Sequence, residues 1–126
     1  MSLDASGAAA TLAAGGMAVP VHMVVRYDTV HLHRGDDPPL ALDGIGARIV
    51  SELVVIAKPV SWEALAREIW RNDEPAVQLR ERWDVALVRL RKKLKDARIR
   101  PDLVRADGTG NIELFLARGD TLDDQT

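Results

Sequence analysis

The hydrophobic period switches from two to helical about a third of the way along this chain, and that switch limits the fold more than any single residue does. Through residues 19–42 the apolar pattern is mostly period two, with Val21, Met23 and Val25 on one face and Val30 and Leu32 on one face of the next run. Successive strand residues point to opposite sides of a sheet, so this pattern predicts short, half-buried strands. Tyr27-Asp28-Thr29 supplies one turn and residues 34–39, with Gly35, Asp36, Asp37, Pro38 and Pro39, supply another. Leu40-Ala41-Leu42 reads as a third strand ending at Asp43-Gly44. From Gly46 onward the period is helical. Ile45, Ile49, Leu53 and Ile56 recur on one side, Val50 and Val54 broaden the stripe, and Pro59 closes the segment.

Two more helices follow. Ser61 stands where an N-cap is expected, with a hydroxyl able to accept from a free amide of the first turn, and Leu65, Ile69, Trp62 and Trp70 give the second helix its buried face. A polar loop over residues 71–78 separates it from the third, where Trp83, Leu87, Leu90 and Leu94 stand at i, i+4, i+7 and i+11. The strands Leu103-Val104-Arg105 and, over residues 112–116, Ile112 onward flank Ala106-Asp107-Gly108-Thr109-Gly110-Asn111, whose Asp-Gly and Gly-Asn pairs mark a hairpin.

The third helix also carries the charge. Residues 80–100, RERWDVALVRLRKKLKDARIR, hold nine basic and three acidic side chains, so they carry +6 while the rest of the chain carries −8 within a net charge of −2. Cations gathered on one element are the footprint of phosphate-backbone contact, although solvated helices share the composition. Around the helix at 100° per residue, the side opposite the apolar stripe is Glu81, Val85, Val88, Arg89, Lys92 and Lys95, with Arg82, Ala86 and Lys93 on one flank and Arg91 on the other.

Composition excludes several classes. The 126 residues suit one domain, and the absence of cysteine rules out disulfides and cysteine-ligated zinc. No apolar run approaches the roughly 18 residues of a membrane span. Residues 1–18, rich in Ala and Gly and without a basic residue, read as a flexible leader, residues 19–118 as the folded domain, and residues 119–126 as a frayed acidic tail. His22, His31 and His33 read as surface strand histidines, since no fourth ligand stands near them. No nucleophile, base and orienting group can be assembled, and the expectation is a non-enzyme with no cofactor and no metal.

The order sheet, helix, helix, loop, basic helix, hairpin is that of an α+β winged helix-turn-helix with an N-terminal antiparallel sheet. VSWEALAREIW resembles the second helix of the OmpR/PhoB family of DNA-binding effector domains, with Val60, Ser61, Glu63, Leu65, Ile69 and Trp70 in step. WDVALVRLRKKL resembles that family's recognition helix through Asp84, Val85, Leu87, Leu90, Arg91, Lys93 and Leu94, and LVRADGTGNIELFL resembles its wing. Ala86 and Val88 stand where the family often has histidine and arginine, the wing is longer, and Asn111-Ile112 replaces the customary tyrosine. No segment resembles a phosphoacceptor receiver domain.

The resemblance implies a bacterial, cytoplasmic transcription regulator that binds double-stranded DNA, as a homodimer or side by side on repeats, and contacts RNA polymerase or another regulator. Arg82, Val85 and Arg89 are then the expected base contacts, since arginine pairs with guanine O6 and N7 and valine touches a thymine methyl. Arg91, Lys92, Lys93 and Lys95 are expected on the phosphate backbone, and Arg105, Thr109 and Asn111 of the wing on phosphate or the minor groove. The competing expectation is a winged helix turned protein-interaction module, suggested by Val85, Ala86 and Val88 and by the negative net charge.

Overall fold

The alternating pattern produces three consecutive strands: β1 (Val21–Val25), β2 (Thr29–Arg34) and β3 (Leu40–Asp43). The structure, a computed structural model, describes residues 19–71 and 73–126; the expected leader, 1–18, lies outside them. β1 and β2 pair antiparallel with Met23 opposite Leu32 and Val25 opposite Val30, and β2 and β3 pair with Val30 opposite Leu42. These apolar partners are all buried, as a one-faced sheet requires.

The helical segment gives α1 (Gly44–Ile56), then a two-residue strand β4 (Val60–Ser61), α2 (Trp62–Trp70) and α3 (Ala76–Asp96). Ser61 caps α2 as its position suggests, its Oγ accepting from the Ala64 amide at 3.1 Å. The inward stripe of α3, Leu79, Trp83, Leu87, Leu90 and Leu94, closes on Ile49, Val50 and Leu53 of α1 and Leu65, Ala66 and Ile69 of α2 in one hydrophobic core. Ser51 is a buried polar residue within this core, and its hydroxyl donates to the Tyr27 carbonyl at 2.8 Å. Burial therefore leaves it satisfied.

Helix α3 is displaced from the basic stretch read as residues 80–100. It starts at Ala76, because Pro75 lacks an amide, sits in extended geometry and accepts from the Leu79 amide at 3.0 Å, a first helical bond. The polar loop is correspondingly shorter. The helix stops at Asp96, where Arg98 turns to φ +62° and the Ile99 amide reaches back to the Leu94 carbonyl at 2.8 Å. Ile99 is thereby buried, and a 3-10 turn at Pro101–Leu103 leads to the hairpin.

The hairpin consists of β5 (Val104–Ala106) and β6 (Asn111–Leu114), with Val104 opposite Leu114 and Ala106 opposite Ile112. Gly108 and Gly110 at its tip have φ +87° and +91°, a region that suits glycine alone. β6 also pairs with β4, Val60 opposite Ile112, making a three-stranded sheet in the order β4-β6-β5. Val60-Ser61 carries no strand pattern of its own at two residues, so only the tertiary pairing makes it one.

The acidic tail is not frayed. Residues Thr121–Asp124 form β7, which pairs in parallel with β1, His22 opposite Thr121 and Val25 opposite Asp124. The N-terminal sheet is therefore four-stranded and mixed, in the order β3-β2-β1-β7, and not simply antiparallel. Asp120 anchors the strand: its carboxylate accepts from the Val21 amide at 2.9 Å, the Ala117 amide at 2.8 Å and Arg100 Nη2 at 2.6 Å. One acidic residue is thus a buried connector, while its neighbours on β7 remain exposed.

Candidate functional site

Burying Trp83, Leu87, Leu90 and Leu94 turns the charges of α3 outward, and their surroundings then separate them. Arg80 pairs with Asp84 at 3.0 Å and lies over the Trp62 ring at 4.9 Å. Arg82 pairs with Glu74 of the α2–α3 loop at 3.2 Å and approaches the Trp70 ring at 5.7 Å. Lys92 pairs with Asp96 at 2.9 Å. Arg89, Lys93 and Lys95 have no ion-pair partner among the described residues. Exposed pairs between long side chains contribute little and exchange readily, so Arg80, Arg82 and Lys92 stay available to another anion.

The candidate residues fall on three surfaces. Arg82, Val85, Arg89, Lys92 and Lys93 line a groove of about 980 Å³ along one flank of α3. Asp43, Gly44, Ile45 and Gly46 at the start of α1 also line it, together with Trp70 at the end of α2 and Glu74 of the following loop. Val88 and Lys95 form the exposed crown, Val88 being 66% and Val85 49% exposed. Arg91 turns to the hairpin side, where its Nε and Nη2 donate to the Val104 carbonyl at 3.3 and 3.0 Å. That geometry makes Arg91 a tie between α3 and β5.

The groove was not legible in the sequence. Gly44 and Gly46 are two residues without side chains at the helix start that lines it, and a Cβ at Gly46 would stand in ordinary contact with Leu90 at 3.5 Å. The acidic lining from Asp43, Glu74, Glu81 and Asp96 also departs from a uniformly basic surface. The lining thus combines arginines, lysines and carboxylates with the apolar side chains Ile45, Ala86 and Leu90.

On the hairpin, Arg105 pairs with Glu113 at 2.9 Å and stacks over the Phe115 ring at 3.9 Å. Phe115 had no assigned role from the sequence; it receives Arg105 and, at 5.6 Å, Arg100. The Thr109 hydroxyl donates to Asp107 at 2.6 Å, and the amides of Thr109 and Asn111 donate to the same oxygen at 2.8 and 3.3 Å. That hydroxyl bond, followed by the Thr109 amide, holds the Asp107 carboxyl below its ordinary 3.8. Thr109 and Asn111 thus shape the tip, and the Trp62 amide donates to the Gly110 carbonyl at 3.0 Å, fastening the tip to the start of α2.

The histidines remain strand residues of the mixed sheet. His22 and His33 are cross-strand partners with ring centroids 5.9 Å apart, and His22 Nδ1 lies 2.6 Å from the Thr121 hydroxyl. No grouping of three or more metal-ligating side chains occurs among the described residues. No helix among them is long and apolar enough to cross a membrane. Comparison with protein-family models, with curated proteins and with solved structures returns no match for this chain.

Proposed function

We propose that the chain is a winged helix-turn-helix DNA-binding domain of a cytoplasmic bacterial transcription regulator, with α3 in the major groove and the β5–β6 hairpin as the wing beside it. The observation that carries this reading is the separation of α3 into a fully buried apolar stripe and an outer surface with Arg89, Lys93 and Lys95 unpaired. A major groove about 12 Å wide admits one such helix. The pairing of β4 with the hairpin supports it too, since it holds β5 and β6 beside the helices in the manner of a wing. Arg89 and Val85 are the proposed base contacts, with Arg82 joining them by leaving Glu74. Lys92, Lys93 and Lys95 are proposed on phosphates. Arg91 acts by positioning the wing, and the reading involves no catalysis and no cofactor.

The test is titration of labelled duplex across a salt series. Binding that weakens steeply with salt is expected, each neutralised phosphate adding about 0.9 to the log–log slope. Arg89→Ala combined with Lys92→Ala lowers both affinity and slope; duplex binding unchanged by that pair refutes the groove assignment.

A second reading, a protein-interaction module, is favoured by Val85 and Val88, which leave apolar surface on the outer helix face. Under it no duplex binds at any accessible salt concentration.

A further inference from the structure

Glu81, Val88 and Lys95 follow one another at seven-residue intervals along α3, so they form one line on its crown, drifting by only about 20° per interval. Glu81 and Lys95 are both exposed and both lack an ion-pair partner among the described residues. Asp84 stands on the acidic side of Val88 and Lys92 on the basic side, each four residues away. Along this line the crown is therefore acidic at Glu81 and Asp84, apolar at Val88 and basic at Lys92 and Lys95, with Arg80 flanking its acidic half. The acidic half is ill suited to a phosphate backbone. It is complementary to the basic half of the same helix running the other way.

We propose that α3 pairs antiparallel with α3 of a second copy of this chain, about a two-fold axis at Val88. The axis brings together positions equidistant from Val88 on opposite sides. Glu81 and Asp84 of each copy then meet Lys95 and Lys92 of the other, across a span of about 21 Å at 1.5 Å per residue. Val88 meets its own copy at the centre. Parallel pairing would set Glu81 against Glu81 and Lys95 against Lys95, so the charges choose the orientation. Asp84 and Lys92 exchange their exposed intrahelical pairs with Arg80 and Asp96 for these contacts. One helix face offers less than the roughly 800 Å² per partner of a standard stable interface, so the dimer is weak, dissociates rapidly and is suppressed by salt. The pairing does not depend on DNA binding, but it covers the crown that the duplex would meet, so the two states exclude one another.

The experiment uses two variants of the full chain: Glu81→Lys with Asp84→Lys, and Lys92→Glu with Lys95→Glu. Both are analysed by sedimentation at high protein concentration and low ionic strength, with circular dichroism to verify that each is folded. The wild type is expected to show concentration-dependent self-association that salt abolishes. Each variant alone is monomeric, and the equimolar mixture forms a heterodimer, because every contact is again between opposite charges. Val88→Arg in both members removes the heterodimer by placing two guanidinium groups on the axis. A mixture that stays monomeric, a wild type that never associates, or a heterodimer indifferent to Val88→Arg overturns the proposal. No DNA is present, so loss of duplex binding in the earlier titration leaves this result untouched, and the converse also holds.

Discussion

Asp120→Ala tests whether the C-terminal strand belongs to the folded core. The Asp120 side chain is 1% exposed and faces Arg100, itself 17% exposed, at 2.6 Å. Truncation leaves the guanidinium without this partner and removes the acceptor from the amides of Val21 and Ala117. Breaking a buried ion pair costs about 3–5 kcal/mol, and each orphaned buried donor about 1–3 kcal/mol. Two features reduce the sum. Arg100 keeps the Phe115 carbonyl at 2.6 Å and Asp102 at 3.5 Å, and β7 is exposed enough to admit water to the vacated space. The net loss is then about 3 kcal/mol, a large share of the roughly 5–15 kcal/mol that holds a domain folded. At about 4–8 °C per kcal/mol for a small domain, the melting temperature falls by roughly 12–24 °C. Urea unfolding at neutral pH reads the loss as a lower midpoint. Asp123→Ala, on the exposed part of the same strand, leaves the midpoint unchanged. If Asp120→Ala behaves like Asp123→Ala, the acidic tail is frayed after all and the parallel pairing contributes nothing.

Two further outcomes concern the hairpin and its support. Ser61→Ala removes the cap of α2 and is expected to lower stability by about 1 kcal/mol in urea unfolding, with Ser61→Asp restoring most of it; equal loss in both variants would show that the hydroxyl acts otherwise. Asp107 has a depressed carboxyl pKa, so its contribution is complete above the ordinary 3.8 and disappears as pH falls through the lower folded value. The amide resonances of Thr109 and Asn111 should therefore titrate in acid with a midpoint below the ordinary 3.8, and titration of these amides near neutral pH would contradict the assignment.

The helices and the first three strands were readable because each satisfies a local rule. Trp83, Leu87, Leu90 and Leu94 repeat at helical spacing, and Val30 and Leu32 alternate with His31 and His33. What escaped depended on distant partners. Thr121-Leu122-Asp123-Asp124 has no alternation that marks it as a strand; it becomes one because Asp120 finds Arg100 and the Val21 amide far away in the chain. Val60-Ser61 is too short for any period and is defined by Ile112 and Asn111 across the sheet. For the candidate site, the outer face of α3 followed from angular position alone, whereas the fate of each charge did not. Arg91 and Lys92 are adjacent in sequence, yet one is held by the Val104 carbonyl and the other pairs with Asp96 in solvent. The groove needs residues 43–46, at the start of α1, brought beside α3, which no local pattern of α3 encodes.

The hairpin tip is joined to the first turn of α2 at three successive residues: Val60 and Ser61 lie in the sheet, and the Trp62 amide bonds Gly110. Arg91 ties the other strand to α3. The gap between hairpin and helix is consequently a fixed gauge. A partner whose spacing matches it meets both surfaces without the hairpin losing freedom on contact, and a partner with a different spacing must itself deform or engage one surface alone. If one partner spans both surfaces, as proposed, selectivity by width arises before any side chain reads a particular chemical group.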